Sequence, residues 1–325
     1  MMRFVLYNYT LKRYAHALIN SKLLNSLSPY KIILKRRINK IIGIYVDRPQ
    51  CVRIENTNIC NAKCITCPRE LMTRKIGIMD ENLYERIISQ CADMGVENIN
   101  LHNYGEPLID KHLPDKIKLA KKTGIKTVTT NSNASLLNKD ISEKLLCSGL
   151  DTLFVSIDAL TEQTYSVMRK GLKYDVLMEN LSAFIEMKNT MKSSTQLVVN
   201  FVTTKENRHE SGAFYEFWKH KADMVSVSYA HNWTGKKKDT MANKRLQFPC
   251  KLPFSDLVIL WDGAYALCCA DFDGTVDLGT VDEVSLAQFW RGNTSLQKYR
   301  QEHQGNNGAS ISPCNACTLN TIWWI

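Results

Sequence analysis

The chain has 325 residues, 44% of them hydrophobic, with 42 Lys and Arg against 32 Asp and Glu and a net charge of +10. That length suits one barrel-sized core with an appendage, and no apolar run is long enough to span a bilayer. No small-residue cleavage site follows an apolar start, so the eleven cysteines argue against a disulfide framework and for metal ligation in a reducing cytoplasm.

The charge gathers at the start. Residues 1–50 hold ten basic side chains and one acid, Asp47, which places +9 of the +10 there. Residues 1–48 are expected to form a basic N-terminal helical arm, because apolar residues recur at loose helical spacing among Lys35, Arg36, Arg37 and Lys40. Two readings stand for it. It packs as helices with solvated charges, or it contacts an anionic membrane surface or a phosphate- or lipid-linked substrate. No basic-plus-aromatic pattern continues into the body, so nucleic acid is not an expected partner.

From residue 49 strands and helices alternate. Apolar or β-branched runs predict strands at 51–55, 99–102, 126–130, 152–157, 196–202 and 224–228. Helices are predicted at 80–91, 113–121, 139–147, 175–191 and 209–221. Six such units imply a parallel (β/α)6 sheet curled into a partial barrel, with its chemistry at the C-terminal strand ends.

The loop after the first strand reads Cys60-Asn61-Ala62-Lys63-Cys64-Ile65-Thr66-Cys67-Pro68. Three thiols within eight residues can turn toward one face of an iron–sulfur cube, and no fourth Cys or His follows to complete a tetrahedral zinc site. Here the sequence resembles the radical S-adenosylmethionine (radical SAM) enzymes, whose hallmark is Cys-x3-Cys-x2-Cys. The resemblance implies a 4Fe–4S cluster held by Cys60, Cys64 and Cys67, with SAM on the open iron, and a partial TIM-barrel fold over residues 49–235.

Strand-end residues extend the likeness. Gly105-Glu106-Pro107 looks like the family's GEP element, in which Glu106 would accept from the methionine amino group. Asn131 ends the third strand and is expected to line the pocket. Ser156 and Asp158 resemble an S-x-D element, two residues apart and both expected to face the barrel mouth. Arg169 resembles the arginine that pairs with the SAM carboxylate. Thr66 stands where many relatives carry an aromatic residue. His231 and Trp233 follow the sixth strand; His231 is a candidate acid or base and Trp233 a candidate stacking platform. His102, at the end of the second strand, calls for the same caution. Cys51, Cys91 and Cys147 are read as small core residues.

Beyond residue 245 stand Cys250, Cys268, Cys269, Cys314 and Cys317. Residues 257–269 read as a hairpin with Asp262-Gly263 as a two-residue turn. Gly263-x4-Cys268 resembles the SPASM/twitch appendage of one radical SAM branch, over residues 245–325. Five cysteines suffice for one auxiliary 4Fe–4S cluster on Cys250, Cys268, Cys314 and Cys317, with zinc as the rival. Cys269 is the spare, expected on the opposite face from Cys268 and a candidate hydrogen-atom donor.

The resemblance implies an enzyme that cleaves SAM reductively to a 5′-deoxyadenosyl radical and abstracts hydrogen from its substrate. The expected reaction is dehydrogenation of a small polar molecule, sugar- or cyclitol-like, with the auxiliary cluster accepting an electron. An external donor of flavodoxin or ferredoxin type would reduce the first cluster. Peptide or protein modification and epimerisation are the alternatives.

Overall fold

The computed structural model describes residues 47–237, 250–304 and 310–319. The expectations about the basic arm lie outside those residues. The described elements run β1 (Cys51–Ile54), α1 (Glu81–Asp93), β2 (Asn98–Asn100), α2 (Leu113–Lys122), β3 (Thr127–Ser132), α3 (Lys139–Leu146), β4 (Thr152–Ser156), α4 (Glu162–Met168), α5 (Tyr174–Thr190), β5 (Gln196–Thr203), α6 (Ser211–Trp218) and β6 (Met224–Tyr229). A second group follows: α7 (Leu252–Ser255), β7 (Asp256–Ile259), β8 (Tyr265–Ala266), α8 (Leu286–Gly292) and α9 (Thr294–Gln304).

The strands make one sheet in the order β6-β5-β4-β3-β2-β1-β7-β8. All pairs are parallel except β7–β8. This is the parallel sheet of a partial TIM barrel, as its alternating pattern implied. Val52, Ile54, Val128, Leu153, Val155, Val199 and Phe201 are wholly buried on the helix side. Each large aliphatic side chain among them stabilises the fold by about 1.5–3 kcal/mol. Helix α1 begins where Asp80 accepts from the Asn82 and Leu83 amides, and it buries Leu83, Tyr84, Ile87, Ile88 and Cys91.

The opposite, inward face mixes polar side chains with Phe154, Val198 and Val202. Arg53, Asn100 and Thr129 stand in register across β1, β2 and β3. Asn131 on β3 and Ser156 and Asn200 on β4 and β5 continue the same face.

Four features depart from expectation. The hairpin β7–β8 does not stand apart: β7 pairs with β1 from Cys51↔Asp256 to Ile54↔Ile259, covering an edge the barrel would otherwise leave open. Its turn has three residues, Trp261-Asp262-Gly263, not two. The Gly263 amide bonds to the Leu260 carbonyl and the Leu260 amide to the Ala264 carbonyl, with Gly263 at φ +87°. Cys147 caps the end of α3 and is exposed instead of buried, and Cys51 is only half-buried on the inward face. Helix α4 went unpredicted because its single short apolar stripe is hard to tell from a loop; Thr161 caps it at the Thr164 amide.

Candidate active site and auxiliary centre

The loop after β1 is held from several sides before any cofactor is considered. The Thr57 hydroxyl donates to the Gly77 carbonyl at 2.8 Å, and Asn58 exchanges two bonds with 75–77, Nδ2 to the Lys75 carbonyl and Oδ1 from the Gly77 amide. The Glu106 amide donates to the Ile59 carbonyl at 2.8 Å. Gly105 makes that approach feasible. At φ +86°, any Cβ there would lie 2.5 Å from the Thr57 carbonyl oxygen and 2.7 Å from that of Ile59. On the far side, Trp233 Nε1 donates to the Thr66 carbonyl at 2.6 Å and Lys237 Nζ to the Ile65 carbonyl at 3.0 Å. Trp233 therefore pins the cysteine loop instead of offering a free stacking face. Its ring packs on Tyr104 at 5.7 Å and His231 at 4.1 Å.

These contacts gather Cys60, Cys64 and Cys67 along one cleft that is partly open to solvent. Gly105, Glu106, Asn131, Ser156, Asp158 and Arg169 all line it, so residues from five separate stretches converge there. Burial pushes the Cys60 thiol up to about 11 and raises Cys67 as well.

The polar groups are further committed than the sequence implied. Glu106 Oε1 accepts from the Ser132 hydroxyl at 2.7 Å and the Leu108 amide at 3.2 Å, and Oε2 from the Asn133 amide at 2.7 Å. Burial raises its carboxyl above the ordinary range against the pull of those donors. Asp158 does not simply alternate with Ser156. It sits at φ +62°, fully buried, with Oδ1 accepting from the Val202 amide at 2.7 Å and Oδ2 2.6 Å from Arg169 Nη2. Its carboxylate is turned to protein groups, away from the mouth, because the left-handed backbone there breaks the strand alternation. Arg169 also places Nη1 3.3 Å from Cys64 Sγ and is 8% exposed, so it is no solvated helix charge. Burial opposes its charge, but Asp158 and then Cys64 hold its proton more firmly than usual. Asn131 Oδ1 accepts from Asn100 Nδ2 at 3.1 Å.

His231 accepts the Trp233 amide on Nδ1 at 3.3 Å, and burial drives it down to about 4. It is absent from the residues lining the cleft. His102 is likewise driven down to about 4, by burial and then by the charge of Arg53.

The second cysteine group also assembles. Cys268 is buried within a cluster with Leu252, Ala270 and Leu319, against which Cys250, Cys269 and Cys317 pack. Burial above all pushes Cys250 and Cys314 up to about 12, and the thiols of this group raise one another further. Cys314 joins them through its electrostatic coupling to Cys250 and Cys317, so the chemistry of the donor set, four thiols, suits an iron–sulfur cluster. All eleven cysteines are free. Burial raises the Cys269 thiol, the charge of Arg53 on the inward barrel face pulls it down, and Asp256 and Cys317 push it up. The Cys269 carbonyl accepts from the Tyr104 hydroxyl. Sequence reasoning missed His303, which lies between Cys250 and Cys314, and Tyr104, Asn103 and Asn133 around the first cleft. None sits in a motif, and only proximity in three dimensions marks them.

A model of the radical SAM superfamily matches residues 54–212, and one of an iron–sulfur cluster-binding domain, SPASM, matches residues 250–318. The chain belongs to the radical SAM superfamily and carries a C-terminal SPASM domain. The cofactors are therefore a SAM-binding 4Fe–4S cluster, SAM itself and an auxiliary iron–sulfur cluster, which decides against zinc.

Curated relatives include a probable GTP 3′,8-cyclase of Methanothermobacter marburgensis, 30% identical over 178 residues, 54% of this chain and 56% of the relative. Another, of Methanococcus vannielii, is 35% identical over 176 residues, 54% and 57%. The chain spans about half the length of the curated relatives it matches. Solved structures share the fold. BtrN in complex with AdoMet and 2-DOIA has a TM-score of 0.60 at 18% identity, covering 83% of this chain and 92% of that one. Streptococcus suis SuiB bound to precursor peptide SuiA has a TM-score of 0.67 at 18% identity, covering 91% and 76%. Native anSMEcpe with bound AdoMet has a TM-score of 0.58 at 14% identity, covering 78% and 84%. Among the described residues no helix is long and apolar enough to cross a membrane.

Proposed function

We propose that this radical SAM enzyme is an oxidoreductase that dehydrogenates a small polyhydroxylated molecule, sugar- or cyclitol-like. The observation that carries the reading is the set of polar side chains lining the cleft beside the cysteines: Asn103, Asn131, Ser132, Asn133 and Ser156. Asn100 Oδ1 and Asn103 Nδ2 are buried without a hydrogen-bond partner among the described residues. An acceptor and a donor left in that state are groups for a polar ligand to satisfy.

When bound and reduced, the first cluster and SAM supply a 5′-deoxyadenosyl radical, the electron coming from a flavodoxin- or ferredoxin-type donor. In this reading Cys60, Cys64 and Cys67 hold the cluster. Gly105 and Glu106 hold the loop and the methionine amine, Arg169 orients the carboxylate, and Asn131, Ser156 and Asp158 shape the floor. Cys250, Cys268, Cys314 and Cys317 would hold the auxiliary cluster, which would supply the one-electron acceptor that a net two-electron oxidation of a carbinol to a ketone requires. Trp233 and Tyr104 wall the cleft and limit water.

Cys269 supports a second reading. Its thiol can return a hydrogen atom to a substrate radical, the thiyl left behind being restored by one electron from the external donor and one proton, which would make the net reaction an epimerisation. Neither reading draws on the peptide bound by SuiB or the nucleotide named in the curated relatives.

The test begins with anaerobic reconstitution. About eight irons per chain should fall to about four when Cys60, Cys64 and Cys67 are all changed to Ala. A panel of sugars and cyclitols is then screened for stimulated 5′-deoxyadenosine release and a product two hydrogens lighter. Stimulation by peptides alone, with no polyol active, would overturn the proposal. An isomeric product of unchanged mass, lost in Cys269→Ala, would favour the second reading.

A further inference from the structure

His303 lies on α9 and is 4% exposed. It touches two of the four auxiliary cysteines. Its Nδ1 accepts the Cys250 amide proton at 3.3 Å, and its Nε2 lies 3.4 Å from Cys314 Sγ. The helix that carries it is anchored one turn earlier. Arg300 donates from Nε to the Pro253 carbonyl at 2.8 Å and from Nη1 to the Trp290 carbonyl at 2.7 Å, with its guanidinium stacked over Trp290 at 4.2 Å. Tyr299 hydrogen-bonds the Ser312 carbonyl, which ties α9 to the segment leading into Cys314. The ring is therefore fixed between the first and third cysteines of the group.

The two contacts also fix the proton. Nδ1 accepts from the Cys250 amide, so it bears no hydrogen, and the neutral ring carries its proton on Nε2. Nε2–H then faces Cys314 Sγ at 3.4 Å, its acceptor among the described residues. A donor aimed at a thiolate makes a charge-assisted bond, and hydrogen bonds to ligand sulfur are one of the levers that set an iron–sulfur potential.

We propose that His303 is a positioning and tuning residue of the auxiliary centre, donating Nε2–H to the Cys314 thiolate and raising that centre's reduction potential. The inference rests on reading Cys250 and Cys314 as ligands. The bond withdraws charge from the sulfur, stabilises the more negative reduced state, and so makes the centre a readier acceptor of an electron leaving the substrate. A histidine that only filled space would move neither the potential nor the sulfur bonding.

The experiment uses the full chain with Cys60, Cys64 and Cys67 changed to Ala, so that only the auxiliary centre contributes. Reductive titration is followed by electron paramagnetic resonance in this background and with His303→Phe or His303→Gln added. Phe keeps the volume without a donor; the Gln amide restores an N–H. The expected result is four irons in each, a potential shifted negative in Phe, and recovery toward the parent in Gln. Four irons with an unchanged potential in Phe overturns the proposal. No iron in the parent variant instead removes the four-cysteine reading itself. Should the Phe variant not fold, 15N-histidine labelling of the parent decides. A weak hyperfine coupling to one histidine nitrogen supports the hydrogen bond, while a strong coupling typical of direct ligation, or none at all, overturns it.

Discussion

Changing Arg74 to Met should be among the most damaging single substitutions outside the cysteines. Glu55, the residue after β1, is fully buried and receives both arms of the Arg74 guanidinium, Nη1 to Oε2 at 2.7 Å and Nη2 to Oε1 at 2.6 Å. Arg74 Nε reaches the Phe272 carbonyl at 2.8 Å, and the Thr73 and Arg74 amides bond Asp273 at 2.7 and 3.1 Å. One fork thus ties the end of β1, the segment after the cysteine loop and the SPASM hairpin region. Methionine retains much of the stem but leaves the carboxylate with backbone amides alone, those of Trp261 at 3.2 Å and of Tyr104. Stranding one partner of a buried pair costs about 3–5 kcal/mol, a large part of the ~5–15 kcal/mol that stabilises a typical domain. Anaerobic urea denaturation followed by circular dichroism should show the midpoint falling by 1 M or more, on the order of the loss divided by a slope of ~1–3 kcal/mol/M. The double variant Glu55→Gln, Arg74→Met should recover at least half, because no bare charge remains. A single-variant loss below about 1 kcal/mol would refute the reasoning.

Gly105→Ala should leave the chain folded but lower the iron held by the three-cysteine loop. The new Cβ meets the Thr57 and Ile59 carbonyls at 2.5 and 2.7 Å and carries the left-handed penalty of about 1–2 kcal/mol; unchanged iron content counts against this. Arg169→Lys should weaken SAM binding by about tenfold or more in calorimetry, since one ammonium cannot span Cys64 Sγ and Asp158 Oδ2 as the guanidinium does. An unchanged Kd removes the assignment. His102 is held down to about 4 in the fold, by burial and then by Arg53, against an ordinary value near 6.5. As pH falls below about 6.5 the unfolded chain takes up that proton first, so stability present at neutral pH is lost between about 6.5 and 4. His102→Asn should flatten this slope between pH 7.5 and 5, and equal losses in both proteins would contradict the burial argument.

Much of the site was legible because its parts are local. Cys60, Cys64 and Cys67 need only a short loop to converge, and the strand-end positions of Gly105, Asn131 and Ser156 follow from a parallel α/β alternation that places them together. What each group bonds to was not legible. Asp158 turns to Val202 and Arg169 because its own backbone is left-handed, and Trp233 spends its indole N–H on Thr66, 167 residues away.

The sequence by itself determined the superfamily, the cofactors that go with it and the kind of barrel, because motif spacing and strand–helix alternation are local. Only the tertiary structure decided how the tail is built into that barrel. Pairing of β7 with β1 brings Asp256 beside Cys51, and α9 sets His303 between Cys250 and Cys314. The reason is physical. Ligand spacing along a loop is a property of neighbouring residues. A strand's choice of edge, and a ring's choice of donor and acceptor, depend on which distant groups the packed core leaves in need of a partner.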